Sequence, residues 1–418
     1  MAEVPAVQPR TLEPLPDPRP LRAPSPPDGT FEIALCLAGA VSAGAYTADV
    51  LDFLVEALET WYQAKADNVP DAPPHDVVIR VITGSSAGAI TGAIAGSALA
   101  YRFPHVHAST PEGQAAGNPF YNAWVKQIDL RDLLTDRDLA GRKTAPRSLL
   151  DSTRLQQIAE GAIGYEIPER AARPYIADPL RLILTVTNLR GVPYALDLRG
   201  NAAASHEMTS HADCLRFAVR GIGSASQAPA WPDEVELQLP KQAGGAANQD
   251  NWKLLGTAAL ASGAFPVGLL PRALHRPLAD YQYRRIAVPS DDGQQGARPI
   301  LPNWPAGTKA SYRFLCVDGG AMDNEPLELA RQELAGVLGR NPRDGVHRDG
   351  QDRGGAARAQ APTRDRMAVA RDRCGDACRD RDPQDLSLDM TGSETAESPE
   401  SRDLGNFQEN DPGASTLS

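Results

Sequence analysis

Three short segments hold residue types that could do chemistry. Gly84-Ser85-Ser86-Ala87-Gly88 spells G-x-S-x-G, between an apolar run ending at Thr83 and a small-residue run from Ala89. A serine on such a strand-to-helix elbow projects its hydroxyl above the sheet, beside a helix N-terminus that favours negative charge. Small residues also suit any tight strand-helix turn, so the spelling alone leaves that alternative open. Gly39-Ala40-Val41-Ser42-Ala43-Gly44 is a second loop of small residues, whose successive N–H groups could form an anion-binding nest or an ordinary turn. It is neither a Walker loop, lacking Gly-Lys-Ser/Thr, nor a dinucleotide fingerprint, because its glycine spacing is wrong. Asp318-Gly319-Gly320 follows the apolar run Phe314-Leu315-Cys316-Val317. An acid at the end of a parallel strand would face the crevice where open α/β sheets bind ligands, although an isolated Asp-Gly pair reads as a turn.

The elements that must position these groups follow from hydropathy. Phe31 to Leu37 is apolar on both faces and reads as a central parallel strand; Val77 to Ile82 reads as another. Leu180–Thr187 and Tyr312–Val317 are predicted to be further strands. Val50, Leu51, Leu54, Ala57, Leu58 and Trp61 recur at helical spacing and predict an amphipathic helix over Ala45–Tyr62. Ala89–Ala100 reads as a helix able to pack close to a sheet. A last helix starts at Pro326, and Gly339 with Pro342 suits its stop. Strands alternating with helices predict an α/β fold, a mainly parallel sheet between helical layers.

Composition bounds the rest. The 418 residues carry 42 Lys and Arg against 53 Asp and Glu, a net charge of -11. That excludes a general nucleic-acid binder, which needs a basic face to neutralise phosphates. No apolar run is long enough for a transmembrane helix. Residues 1–30 form a Pro-rich leader without the basic start and apolar stretch of a signal peptide, so the expected location is the cytoplasm. That leader is expected to be disordered, residues 31–340 to form the folded domain, and residues 341–418 to be a disordered polar tail. The abrupt change near Asn341 suggests a segment read out of the ancestral frame. Of five cysteines, Cys36, Cys214 and Cys316 sit in apolar strings, while Cys374 and Cys378 stand alone in the tail; no metal or other cofactor is expected.

Order and spacing together make the chain resemble the patatin-like phospholipase family, in its bacterial form, from about Phe31 to Leu338. The resemblance rests on the early small-residue loop, G-x-S-x-G and the late D-G-G. Looser likenesses are Leu149-Leu150-Asp151, the strand running to Thr187-Asn188-Leu189, and Ala261-Ser262-Gly263-Ala264-Phe265-Pro266. It implies a serine lipid acyl hydrolase acting on carboxylic esters through an acyl-enzyme. Ser86 would be the nucleophile, Asp318 the base, and the backbone at Gly39, Ala40 and Val41 the oxyanion hole; Gly84, Gly88, Gly319 and Gly320 complete the motifs. The substrate would be a lipid or phospholipid, with transient membrane-surface contact. Ala40 and Val41 stand where the family carries glycines, and Ala43 where it carries a cation. That departure keeps backbone N–H donors and removes the cation, so a catalytically weak or inactive lipid-binding scaffold and a general carboxylesterase are the alternatives. A Ser-Asp-His triad would need a histidine after the acid, and only His347 follows Asp318. His105, His107, His206, His211 and His275 precede it and read as surface or packing residues.

Overall fold

The apolar runs become strands where helices can cover them. In the computed structural model, residues 14–40, 44–137, 147–197, 205–223, 225–289 and 295–340 are described. Strand β1 (Thr30–Leu37) leads to helix α1 (Gly44–Ala66), strand β2 (Asp76–Gly84) and helix α2 (Ala87–Ala98). Helix α3 (Thr153–Ile163) precedes the long strand β3 (Ile176–Asp197), which turns back as β4 (Ser205–Arg220). Strand β5 (Glu234–Gln238), helix α4 (Gly245–Ser262), strands β6 (Arg272–Pro277) and β7 (Ser311–Val317) and helix α5 (Leu327–Ala335) complete the unit.

The expected α/β architecture is present: a mostly parallel central sheet flanked by helices. Strands β1, β2 and β3 run parallel, with Leu37 opposite Gly84 and Gly84 opposite Leu184. Strand β1 is at the sheet's edge, not its centre as expected. Helices α2 and α5 pack on it, and its residues are mostly half-buried where most of β2 is buried. Strand β7 also departs from expectation. It pairs antiparallel with both β3 and β6, placing Val317 opposite Thr187. Asp318 therefore comes from the opposite direction, yet arrives level with the end of β2.

Helix α2 is buried nearly all round, and its small residues allow that. A methyl group at Gly96 would lie 2.6 Å from Leu182 Cδ1. In α1 the buried stripe is Ala48, Leu51, Asp52, Val55 and Leu58. Val50 faces outward instead, beside the exposed Tyr46 and Phe53. Buried Asp52 accepts from His105 Nδ1 at 2.7 Å and from the Val106 N–H at 3.1 Å. Helix α5 stops at Ala335 because Gly336 takes a φ of 80°, three residues before the expected glycine.

The described part of the leader, from residue 14, contacts the rest of the domain. Ala23 N–H donates to Ala335 O at 2.9 Å, Leu338 N–H to Leu21 O at 2.9 Å, and Arg19 pairs with Asp233 at 3.2 Å. Prolines that cannot join a regular element still leave these donors and acceptors to be satisfied by α5 and the sheet. Cys316 is buried and Cys36 and Cys214 are half-buried. Val41, His347, Cys374, Cys378 and the tail lie outside the described residues. Among the described residues no helix is long and apolar enough to cross a membrane.

Candidate active site

Ser86 sits one residue before α2, with φ 50° and ψ -119°. A non-glycine residue at positive φ is strained, and such strain persists only where neighbours fix it. Several do. Ser85 N–H donates to Leu37 O at 3.1 Å, tying the elbow to the end of β1. Ser86 N–H donates to Ser262 Oγ at 2.8 Å. Gly88 lets α2 cross β1, since a Cβ there would lie 2.1 Å from Leu37 O. The elbow needs that glycine for close approach, as the G-x-S-x-G spelling implies.

The Ser86 hydroxyl donates to Asp318 Oδ2 at 2.8 Å, across 232 positions of chain. Gly320 N–H donates to Asp318 Oδ1 at 2.7 Å. Asp318 is itself gripped at both backbone ends: its N–H donates to Ala264 O at 2.9 Å, and its carbonyl accepts from Thr187 Oγ1 at 2.7 Å. Burial raises the Asp318 carboxyl above the ordinary aspartate value, against the lowering effect of the donors from Ser86 and Gly320. A half-desolvated carboxylate hydrogen-bonded to a hydroxyl is equipped to take that hydroxyl's proton.

Of the residues expected at the oxyanion hole, the structure brings Gly39 to the site but commits its N–H elsewhere. That N–H donates to Asn324 O at 3.0 Å, and Asn324 Nδ2 donates to Gly39 O at 3.2 Å. Gly39 packs so tightly that a Cβ would lie 3.0 Å from Ser86 Cβ and 2.3 Å from Asn324 Oδ1. Gly39 thus shapes the loop rather than supplying a donor. Ala40 is next to it, half-buried; Val41 lies outside the described residues.

Two residues went unassigned by sequence reasoning. Ser262 is fully buried and holds the Ser86 backbone; Asn324 ties the Asp318 loop to the small-residue loop. Ser262 lies in the noted Ala261–Pro266 segment, whose Ala264 also holds Asp318, so one segment braces both halves of the pair. None of the histidines whose side chains are described bonds to Ser86 or Asp318. His105 and His107 pair with acids of α1, His211 Nδ1 meets Asn188 O at 2.7 Å, and His275 meets Ser311.

A cavity of about 410 Å³ lies elsewhere, bounded by the leader, β4 and α5. Its walls contain neither Ser86 nor Asp318, and its arginines are already paired, Arg276 with Asp213 and Arg216 with Glu333. The serine-carboxylate contact thus lies outside this cavity. Among the described residues no group of three or more His, Cys, Asp or Glu is placed to hold a metal ion.

A strained serine elbow above a mostly parallel sheet, in hydrogen-bond contact with the acid of a D-G-G turn, is the site of a patatin-type α/β protein. The model of the patatin-like phospholipase family matches residues 35–331, and the chain belongs to that family. Uncharacterized protein y4iI of Sinorhizobium fredii (strain NBRC 101917 / NGR234) is 36% identical to it over 333 residues, which cover 73% of this chain and 46% of that protein. The chain spans about half the length of that curated relative.

Proposed function

We propose that the protein is a serine lipid acyl hydrolase, with Ser86 as nucleophile and Asp318 as general base. The observation that carries this is the 2.8 Å hydrogen bond from Ser86 Oγ to Asp318 Oδ2 on a strained elbow. Asp318 takes the hydroxyl proton as Ser86 Oγ attacks an ester carbonyl. The resulting oxyanion is held by the backbone N–H of Ala40 and by the positive end of α2. The intermediate collapses, the C–O bond to the alcohol breaks, and Asp318 returns its proton to the departing oxygen. Water, giving a proton to Asp318, then attacks the acyl-serine; collapse frees the fatty acid as Ser86 is reprotonated.

The test is hydrolysis of short esters and phospholipids by wild type, Ser86→Ala and Asp318→Asn. Each substitution is expected to cost on the order of ten-thousandfold in rate. Equal rates in all three end the proposal. The commitment of the Gly39 N–H to Asn324 gives the lipid-binding scaffold its one specific support. Folded wild type that fails to label at Ser86 with a fluorophosphonate would favour that reading instead.

A further inference from the structure

The cavity of about 410 Å³ is roomy enough for a small organic ligand, and the charges of its walls do not balance. Five arginines and six carboxylates line it. Arg19 and Arg285 pair with Asp17 at 3.0 and 3.3 Å. Arg216 pairs with Glu333 at 3.0 Å and with Asp233 at 3.6 Å. Arg276 pairs with Asp213 at 3.1 Å and with Asp280 at 3.3 Å, and Arg284 meets Asp213 at 2.7 Å. Every arginine of the walls is thereby answered by an acid, and every acid but one by an arginine. The exception is Asp323, whose carboxylate makes no ion pair or side-chain hydrogen bond among the described residues. Backbone bonds alone fix its place: Asp323 N–H donates to Gly319 O at 2.9 Å, and its carbonyl accepts from Thr185 Oγ1 at 3.2 Å. Burial raises the Asp323 carboxyl above its ordinary value, and no donor or cation offsets that. A half-buried carboxylate without a partner carries a desolvation cost that a cation beside it would relieve.

Apolar side chains share the same walls. Leu21 of the leader and Met208 of β4 are 37% and 45% exposed, and Ile300 and Leu329 are half-buried. The apolar body of a ligand would take that surface out of water. An anionic ligand would meet arginines already paired, whereas a cationic one would meet the acid that is not. We propose that this cavity is a binding site, separate from the dyad, for a small organic ammonium ion with an apolar body, its charged end on Asp323. The site goes beyond the hydrolase reading and does not depend on it.

Isothermal titration of the full chain with three probes of one shape, hexylamine, hexanol and hexanoate, tests this. The amine is expected to bind at one site per chain, about tenfold more tightly than the alcohol, the order for one charge-assisted hydrogen bond. Asp323→Asn, nearly isosteric, should bring the amine down to the alcohol's affinity and leave the alcohol unmoved. Met208→Trp, at an exposed position of the wall, should weaken amine and alcohol alike at unchanged melting temperature, and it locates the site even if Asp323→Asn folds poorly. Equal binding of amine and alcohol, or tighter binding of hexanoate, overturns the proposal. So does an amine preference that survives Asp323→Asn, or binding undiminished by Met208→Trp. Absence of binding by all three probes overturns it as well, since the space would then be closed in solution or held by another part of the chain. None of these results bears on Ser86-dependent ester cleavage, which is measured separately.

Discussion

Replacing Ser262 by alanine tests whether the elbow is held in place for chemistry or merely for packing. The Ser262 hydroxyl is fully buried and accepts the Ser86 N–H at 2.8 Å. Alanine is smaller by one oxygen and leaves that N–H without its acceptor, at the residue whose φ of 50° already needs outside support. An unsatisfied buried donor costs about 1–3 kcal/mol. If the elbow relaxes to recover that energy, Ser86 leaves the position that Asp318 activates. At 1.36 kcal/mol per tenfold, the loss in nucleophile placement is about 5- to 150-fold in rate. The assay is the rate of fluorophosphonate labelling at Ser86 beside kcat for a soluble ester, with thermal unfolding measured on the same sample. The expected result is a fall in both rates with only a few degrees lost in Tm, since a kilocalorie moves a domain of this size by about 2–4 °C. Labelling at the wild-type rate in folded Ser262→Ala would refute the bracing role. A fall that only tracks the folded fraction would refute it equally.

Two pH dependences follow from the same physics. As the proposed base, Asp318 would work only when ionised, and burial raises its carboxyl above the ordinary value of 3.8. Activity should therefore be lost as pH falls through a limb displaced upward from 3.8, visible in a kcat/KM profile; a limb at or below that value would contradict the desolvated base. His105 is raised from 6.5 to about 9: burial opposes its charge, but hydrogen bonds and charge from Asp52 and Glu59 prevail. Its contribution to stability is fully present below pH 6.5 and is lost as pH rises through about 9. Denaturant unfolding across that window should show declining stability in wild type and a flatter profile in His105→Gln; parallel profiles would show that the histidine is not the group involved.

The pairing of Ser86 with Asp318 was legible because its signal is contextual. Ser86 had an apolar strand before it and a small-residue helix after it, and Asp318 closed another apolar strand. Direction was not legible: nothing in Tyr312–Val317 distinguishes a strand entering the sheet upward from one entering downward, and β7 enters antiparallel. Nor was position within the sheet, because the edge strand, on which α2 and α5 pack, carries an apolar run as a central strand does. Ser262 was hidden for a different reason. A small polar residue among alanines and glycines looks like close packing, and its role exists only through contact with a residue 176 positions away. The oxyanion loop misled in detail, because sequence cannot tell a free N–H from one already spent on Asn324. The helix stop was misplaced because Gly336 and Gly339 are equally good candidates until one is seen to end α5 at Ala335.

The opposite approach of β2 and β7 has a consequence for synthesis. A nascent chain releases Ser86 long before Asp318, and the strand bearing the acid can be laid down only after β3 and β6 exist to receive it. Throughout that interval the serine lacks the carboxylate proposed to activate it. On that proposal reactivity is postponed until nearly the whole domain has been made, and a fragment truncated before the last strand would carry an inert hydroxyl.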